Sequence, residues 1–142
     1  MSDTDYKIYK SLMSPNPIFD KDYLMRILNL SDIETIKFAE ITDIKESNTA
    51  LVIKAAVHIK GRHERCHKLF IKTAKQNQAE NVYHSKGAQE GKFYQLVKDN
   101  AINDLPIPIC YDVFISDNGE FVIVLEDISD RYTPPSTISI SD

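Results

Sequence analysis

Two residues of this chain sit where their type asks for chemistry. In the stretch His67 to Thr73, HKLFIKT, a period of two puts Leu69 and Ile71 on one face and Phe70 and Lys72 on the other, and Lys72 is the only charge between Leu69 and Thr73. Further on, Glu90, Phe93, Tyr94 and Val97 fall at i, i+3, i+4 and i+7, so a carboxylate lies on the apolar stripe of a helix. Burying either charge alone is costly, and the pair is therefore expected to meet. An ammonium held in this way suits an anion. The charge distribution agrees: from Lys54 to Lys75 there are seven Lys/Arg against the single acid Glu64, whereas Asp99 to Asp142 holds nine acids against Arg131 alone. The competing reading is bland. Lys72 would snorkel from an edge strand and Glu90 would lie at the border of its stripe.

Other constellations are weaker. His58, His63, Cys66 and His67 are donors suited to zinc, but H-x-x-C-H lacks the paired spacing of a zinc finger and the second Cys of a haem attachment motif, and it reads as a polar turn between two strands. The basic run Lys54 to Lys75 has no interleaved aromatics apart from Phe70, so a solvated or ligand-facing strand surface is expected there and no nucleic-acid partner.

These residues need elements to position them. Asp20 can cap a short helix in which Phe19, Tyr23, Leu24, Ile27 and Leu28 recur at helical spacing, following a polar leader that contains Pro15 and Pro17. Alternation from Phe38 to Asp43 predicts a strand, with a loop over Lys45 to Asn48. Leu51 to Ile59 and His67 to Thr73 predict two further strands in an antiparallel meander. A helix is expected within Ala74 to Asn100; Gly87 and Gly91 weaken its first half by about 1 kcal/mol each relative to Ala, so that it begins near Ser85. Asp117-Asn118-Gly119 between two apolar runs then predicts a tight hairpin of Cys110 to Ser116 with Glu120 to Leu125. Residues 132 to 142, which contain Pro134-Pro135, read as an extended linker.

Length and composition bound the answer. The chain has 142 residues, 42% apolar and 27% charged, with 4 Gly and 6 Pro. This is the composition of one globular domain that buries roughly 70% of its unfolded surface. The net charge of -4 gives no reason for bulk nucleic-acid binding. No secretory or membrane-spanning segment is seen, and Cys66 and Cys110 are expected as reduced thiols, so a cytoplasmic protein with no membrane partner is expected.

Leu69-Phe-Ile-Lys72, Glu90-Gly-Lys-Phe-Tyr94, Leu105-Pro-Ile-Pro-Ile-Cys-Tyr111 and Leu125-Glu126-Asp127-Ile128 follow one another in an order that resembles the small lobe of the ecdysteroid kinase-like group. That group belongs to the aminoglycoside phosphotransferase and choline kinase superfamily, with a protein-kinase-like fold. The resemblance spans about Phe38 to Arg131. It implies an α+β fold: a twisted antiparallel sheet of about five strands, one main helix packed on it through Phe93, Tyr94 and Val97, and an N-terminal helix at the side. The expected divisions are an N-terminal helical extension (1–37), the small lobe (38–131) and a linker (132–142).

The resemblance implies ATP as cofactor and phosphorylation of a small-molecule hydroxyl. Lys72 would contact the ATP phosphates, Glu90 would orient Lys72, Ser47 and Asn48 would match the phosphate loop, and the backbone at Leu125, Glu126 and Asp127 would meet the adenine edge. The stretch Lys45 to Thr49 contains none of the glycines that family loops carry. None of the four His is followed by Gly-Asp, the family's catalytic loop, so the Mg²⁺ ligands, the catalytic Asp and the small-molecule acceptor site are expected on a large lobe outside this sequence. A truncated member, inactive alone, is therefore expected. The other expectation is a non-catalytic kinase-like binding or regulatory module.

Overall fold

The structure is a computed structural model that describes residues 3–47, 50–75, 86–100, 107–117 and 119–128. Helices α1 (Asp3–Leu12) and α2 (Lys21–Leu28) precede strands β1 (Thr35–Glu46), β2 (Ala50–Lys60) and β3 (Arg65–Ala74); helix α3 (Lys86–Asp99) follows, then β4 (Cys110–Ile115) and β5 (Phe121–Glu126). The strands form one antiparallel sheet in the order β1-β2-β3-β5-β4. The α+β class and the five-stranded sheet agree with the sequence expectation. No helix among the described residues is long and apolar enough to cross a membrane.

Each element has a local cause. The Asp20 side chain accepts from the Tyr23 N–H at 2.9 Å, and Asn29 closes α2 in the left-handed region at φ 51°. The β4–β5 hairpin turns through Gly119 at φ 91°, with the Ser116 N–H donating to the Glu120 carbonyl at 2.9 Å. Asn118, the other half of the expected turn signal, lies outside the described residues, as do residues 76–85 and the expected linker 132–142.

The core lies between the sheet and the first two helices. On β2, Leu51, Ile53, Ala55, Val57 and Ile59 are all buried, and the register pairs Ile53 with Ile71 and Ile71 with Val124. Paired residues share a face, so one apolar surface runs across three strands. Leu12, Met13, Tyr23, Leu24 and Leu28 cover it. Burying such side chains contributes about 1.5–3 kcal/mol each.

Three expectations need correction. The polar leader is helical over Asp3–Leu12, because Ile8, Tyr9, Leu12 and Met13 recur on one face and dock on the sheet. Strand β1 begins at Thr35 and runs through Glu46, longer than alternation suggested, because bulges near Lys37 and Thr42 break the period of two that a sequence reading follows. Helix α3 packs through Tyr94 and Gly91 rather than through Phe93. Tyr94 is 9% exposed and Phe93 45% exposed.

Candidate functional site

Lys72 and Glu90 meet. The Lys72 Nζ donates to Glu90 Oε1 at 2.6 Å, and the two side chains retain 30% and 43% of their exposure. Lys72 lies on a central strand, because β3 is paired on both sides, so the edge-strand version of the bland reading does not describe it. Its cross-strand partners are Val52 on β2 and Ile123 on β5. The ammonium therefore rises from an apolar row and points away from the core face.

Helix α3 brings Glu90 to it by a close approach. A Cβ on Gly91 would stand 3.1 Å from Cδ1 and Cγ1 of Ile115 and 3.7 Å from Cγ2 of Val113, so glycine lets the helix sit this near β4 without displacing the Ile115 side chain. The Gly that lowers helix propensity in the sequence is the one that seats the helix. One residue earlier, the same seating aims Glu90 at β3.

The loop residues behave differently. Ser47 Oγ accepts from the Ala50 N–H at 3.1 Å, and the Ser47 N–H donates to the Ala50 carbonyl at 2.9 Å, so this residue closes the β1–β2 turn. Lys75 Nζ clamps the turn through the Ser47 carbonyl at 3.2 Å and Glu46 Oε2 at 2.6 Å. Asn48 lies outside the described residues.

At the other end of the face, Leu125 is buried and pairs with Phe70. The Glu126 N–H donates to the Ile109 carbonyl and the Asp127 N–H to the Lys68 carbonyl, both at 2.9 Å. These two donors are spent within the fold. An adenine edge would have to compete for them.

Away from Lys72, His58, Cys66 and His67 lie at the surface of the sheet. His58 Nε2 lies 2.7 Å from Glu40 Oε2, with the Phe38 ring stacked on the imidazole. Arg65 donates to Glu34 at 2.8 Å and holds its carboxyl down, at about 2, against an ordinary 4.5. Burial, and then the neighbouring Arg65 guanidinium, push the His67 imidazole below its ordinary 6.5. Cys66 and Cys110 are free thiols, and burial pushes Cys110 up to about 11. No group of three or more metal-ligating side chains is assembled among the described residues.

Two polar groups escaped the sequence reading. Asp112 Oδ2 accepts from the Tyr9 hydroxyl at 2.8 Å and from the Tyr23 hydroxyl at 2.6 Å, and Tyr9 stacks on Phe114. Burial, then the Asp112 charge, raises both phenols well above their ordinary 10. Glu120, 5% exposed, accepts from Tyr6 at 3.0 Å and Lys10 at 3.2 Å. Their signal was an acid beside the apolar β4 and β5 runs and three tyrosines in the first 23 residues, but only the fold joins them.

The chain was compared with protein-family models, curated proteins and solved structures, and none of them matches it.

Proposed function

We propose that this chain is the nucleotide-holding lobe of an ATP-dependent small-molecule kinase. The observation that carries the reading is the Lys72–Glu90 contact of 2.6 Å. A carboxylate from the helix after β3 holds the ammonium on the face of the sheet opposite α1 and α2, where it can donate to phosphate oxygens. The order of elements supports the reading: three strands with Lys72 on the third, a helix bearing Glu90, then two strands ending at Leu125-Glu126-Asp127. ATP would lie against the Lys72 face, with its triphosphate at Lys72. The acceptor would be a hydroxyl of a small molecule. Its base, its pocket and the Mg²⁺ ligands would be supplied from outside these residues, and what this chain contributes is to hold and orient phosphate.

A second reading is favoured by a specific set of contacts. Lys45 to Thr49 has no Gly, the Ser47 hydroxyl is committed to its turn, and the Glu126 and Asp127 N–H groups are committed to the fold. A kinase-like module that binds or regulates without catalysis would have this arrangement. Calorimetric titration of ATP into the protein and into Lys72→Ala separates the readings. Saturable binding that Lys72→Ala abolishes is the expected result; equal responses from both proteins would remove Lys72 from the phosphate role.

A further inference from the structure

The face that carries Lys72 carries a second ammonium that makes no ion pair or hydrogen bond among the described residues. Lys54 pairs in register with Phe70 on β3, and Val52, two residues before it, pairs with Lys72. Side chains at Lys54, Val52, Phe70 and Lys72 therefore point to the same side of the sheet. Lys54 is a diagonal neighbour of Lys72, about 7–8 Å away across the strand pair.

Their surroundings differ. Glu90 compensates the charge on Lys72. Lys54 is half-buried, and it makes no ion pair or hydrogen bond among the described residues, although the register sets Asp43 opposite it on β1. Two cations side by side, one of them half-buried and forming no ion pair among the described residues, are unfavourable unless an anion covers both. Phe70, which is also half-buried, lies beside Lys54 and next to Leu125, placing apolar side chains at the end of the face away from Lys72.

We propose that Lys54 is a second phosphate-contacting residue, and that Lys54 and Lys72 together grip a polyphosphate chain laid across β2 and β3. The inference rests on the proposed phosphate role of Lys72. It assigns recognition to the phosphate chain rather than to the base, which fits the amide donors of Glu126 and Asp127 being already used. Rooted about 7–8 Å apart, the two lysines straddle two linked phosphates, so ligands with at least two gain from both and a single phosphate gains from one.

The test is calorimetric titration of ATP, AMP and sodium tripolyphosphate into the protein and into Lys54→Gln, Lys54→Arg and Lys72→Ala. Loss of one charge-assisted contact weakens ATP and tripolyphosphate by about tenfold in Lys54→Gln. AMP affinity should change little, and Lys54→Arg should restore most of the loss. The melting temperature of Lys54→Gln should not fall, because Lys54 supports no other residue; a fall matched by unchanged ATP affinity would make the residue structural and overturn the assignment. Equal ATP affinity in the protein and Lys54→Gln, with binding lost in Lys72→Ala, would overturn this inference and leave the proposed function in place. No binding of ATP or tripolyphosphate by the unaltered protein would overturn both.

Discussion

Breaking the Lys72–Glu90 pair should cost little stability, and how little is the test of whether the contact serves the fold or a ligand. Two unit charges about 4 Å apart attract by about 1 kcal/mol in water and about 4 kcal/mol at an effective dielectric of 20. The side chains here remain 30% and 43% exposed, which places the pair between these limits and closer to the first. Ordering two long side chains offsets part of that gain, and the net coupling should be about 1 kcal/mol. Urea unfolding of the protein, Glu90→Gln, Lys72→Met and the double variant gives the coupling directly. An interaction energy of about 1 kcal/mol is expected, with ATP affinity falling more in Lys72→Met than in Glu90→Gln. A coupling inside the ~0.3–0.5 kcal/mol within which independent sites add would refute the pairing, because it would mean that the two groups do not hold each other in solution.

Three further outcomes follow from geometry. Gly91→Leu forces a branched side chain into Ile115 and Val113, so thermal melting should show a loss of about 1–3 kcal/mol, whereas Gly91→Ala should come out near zero as helix propensity offsets the 3.1 Å contact. Asp112→Asn removes the charged acceptor shared by Tyr9 and Tyr23 and should cost about 2 kcal/mol in denaturant, more than either Tyr→Phe change alone. The Glu34 carboxyl titrates at about 2 in the folded chain against an ordinary 4.5, so its contribution is complete above about pH 4.5 and fades as pH falls toward 2. Melting temperatures of the protein and Glu34→Gln should accordingly converge across that window, and a constant gap would refute the Arg65 pairing.

Periodicity carried most of the fold into the sequence, and it failed where two periods met a local exception. Strands β2 and β3 are regular, and their bounds were legible to within two residues from Leu51–Ile59 and His67–Thr73. Strand β1 was foreshortened because each bulge shifts the face that a residue presents. Helix α1 was missed because its apolar side includes Tyr6 and Tyr9, whose hydroxyls reach Glu120 and Asp112, and such tyrosines read as polar leader until their acceptors are known. Phe93 was misplaced because the stripe was drawn through large side chains, whereas Gly91, with no side chain at all, marks the contacting face.

For the candidate site, Lys72 and Glu90 were legible because a charge on an apolar face is costly alone, which is an argument sequence can make. Lys54 was not. It stood in a charged run, and only the pairing of Val52 with Lys72 shows that it shares the latter's side of the sheet. The roles of Ser47, Glu126 and Asp127 likewise depend on which backbone groups are already satisfied, and that is a property of the register rather than of residue type.

Strand β4 is gripped from both sides. Asp112 and Phe114 hold α1 and α2 on one surface, and Val113 and Ile115 receive α3 on the other. It is also the outermost strand on its side of the sheet among the described residues. The first helices are thus no detachable handle: trimming the chain back to Asp20 would remove α1 with its Tyr9 contacts to Asp112 and Phe114, leave α2 alone on that side of β4, and slacken the seat from which Glu90 reaches across.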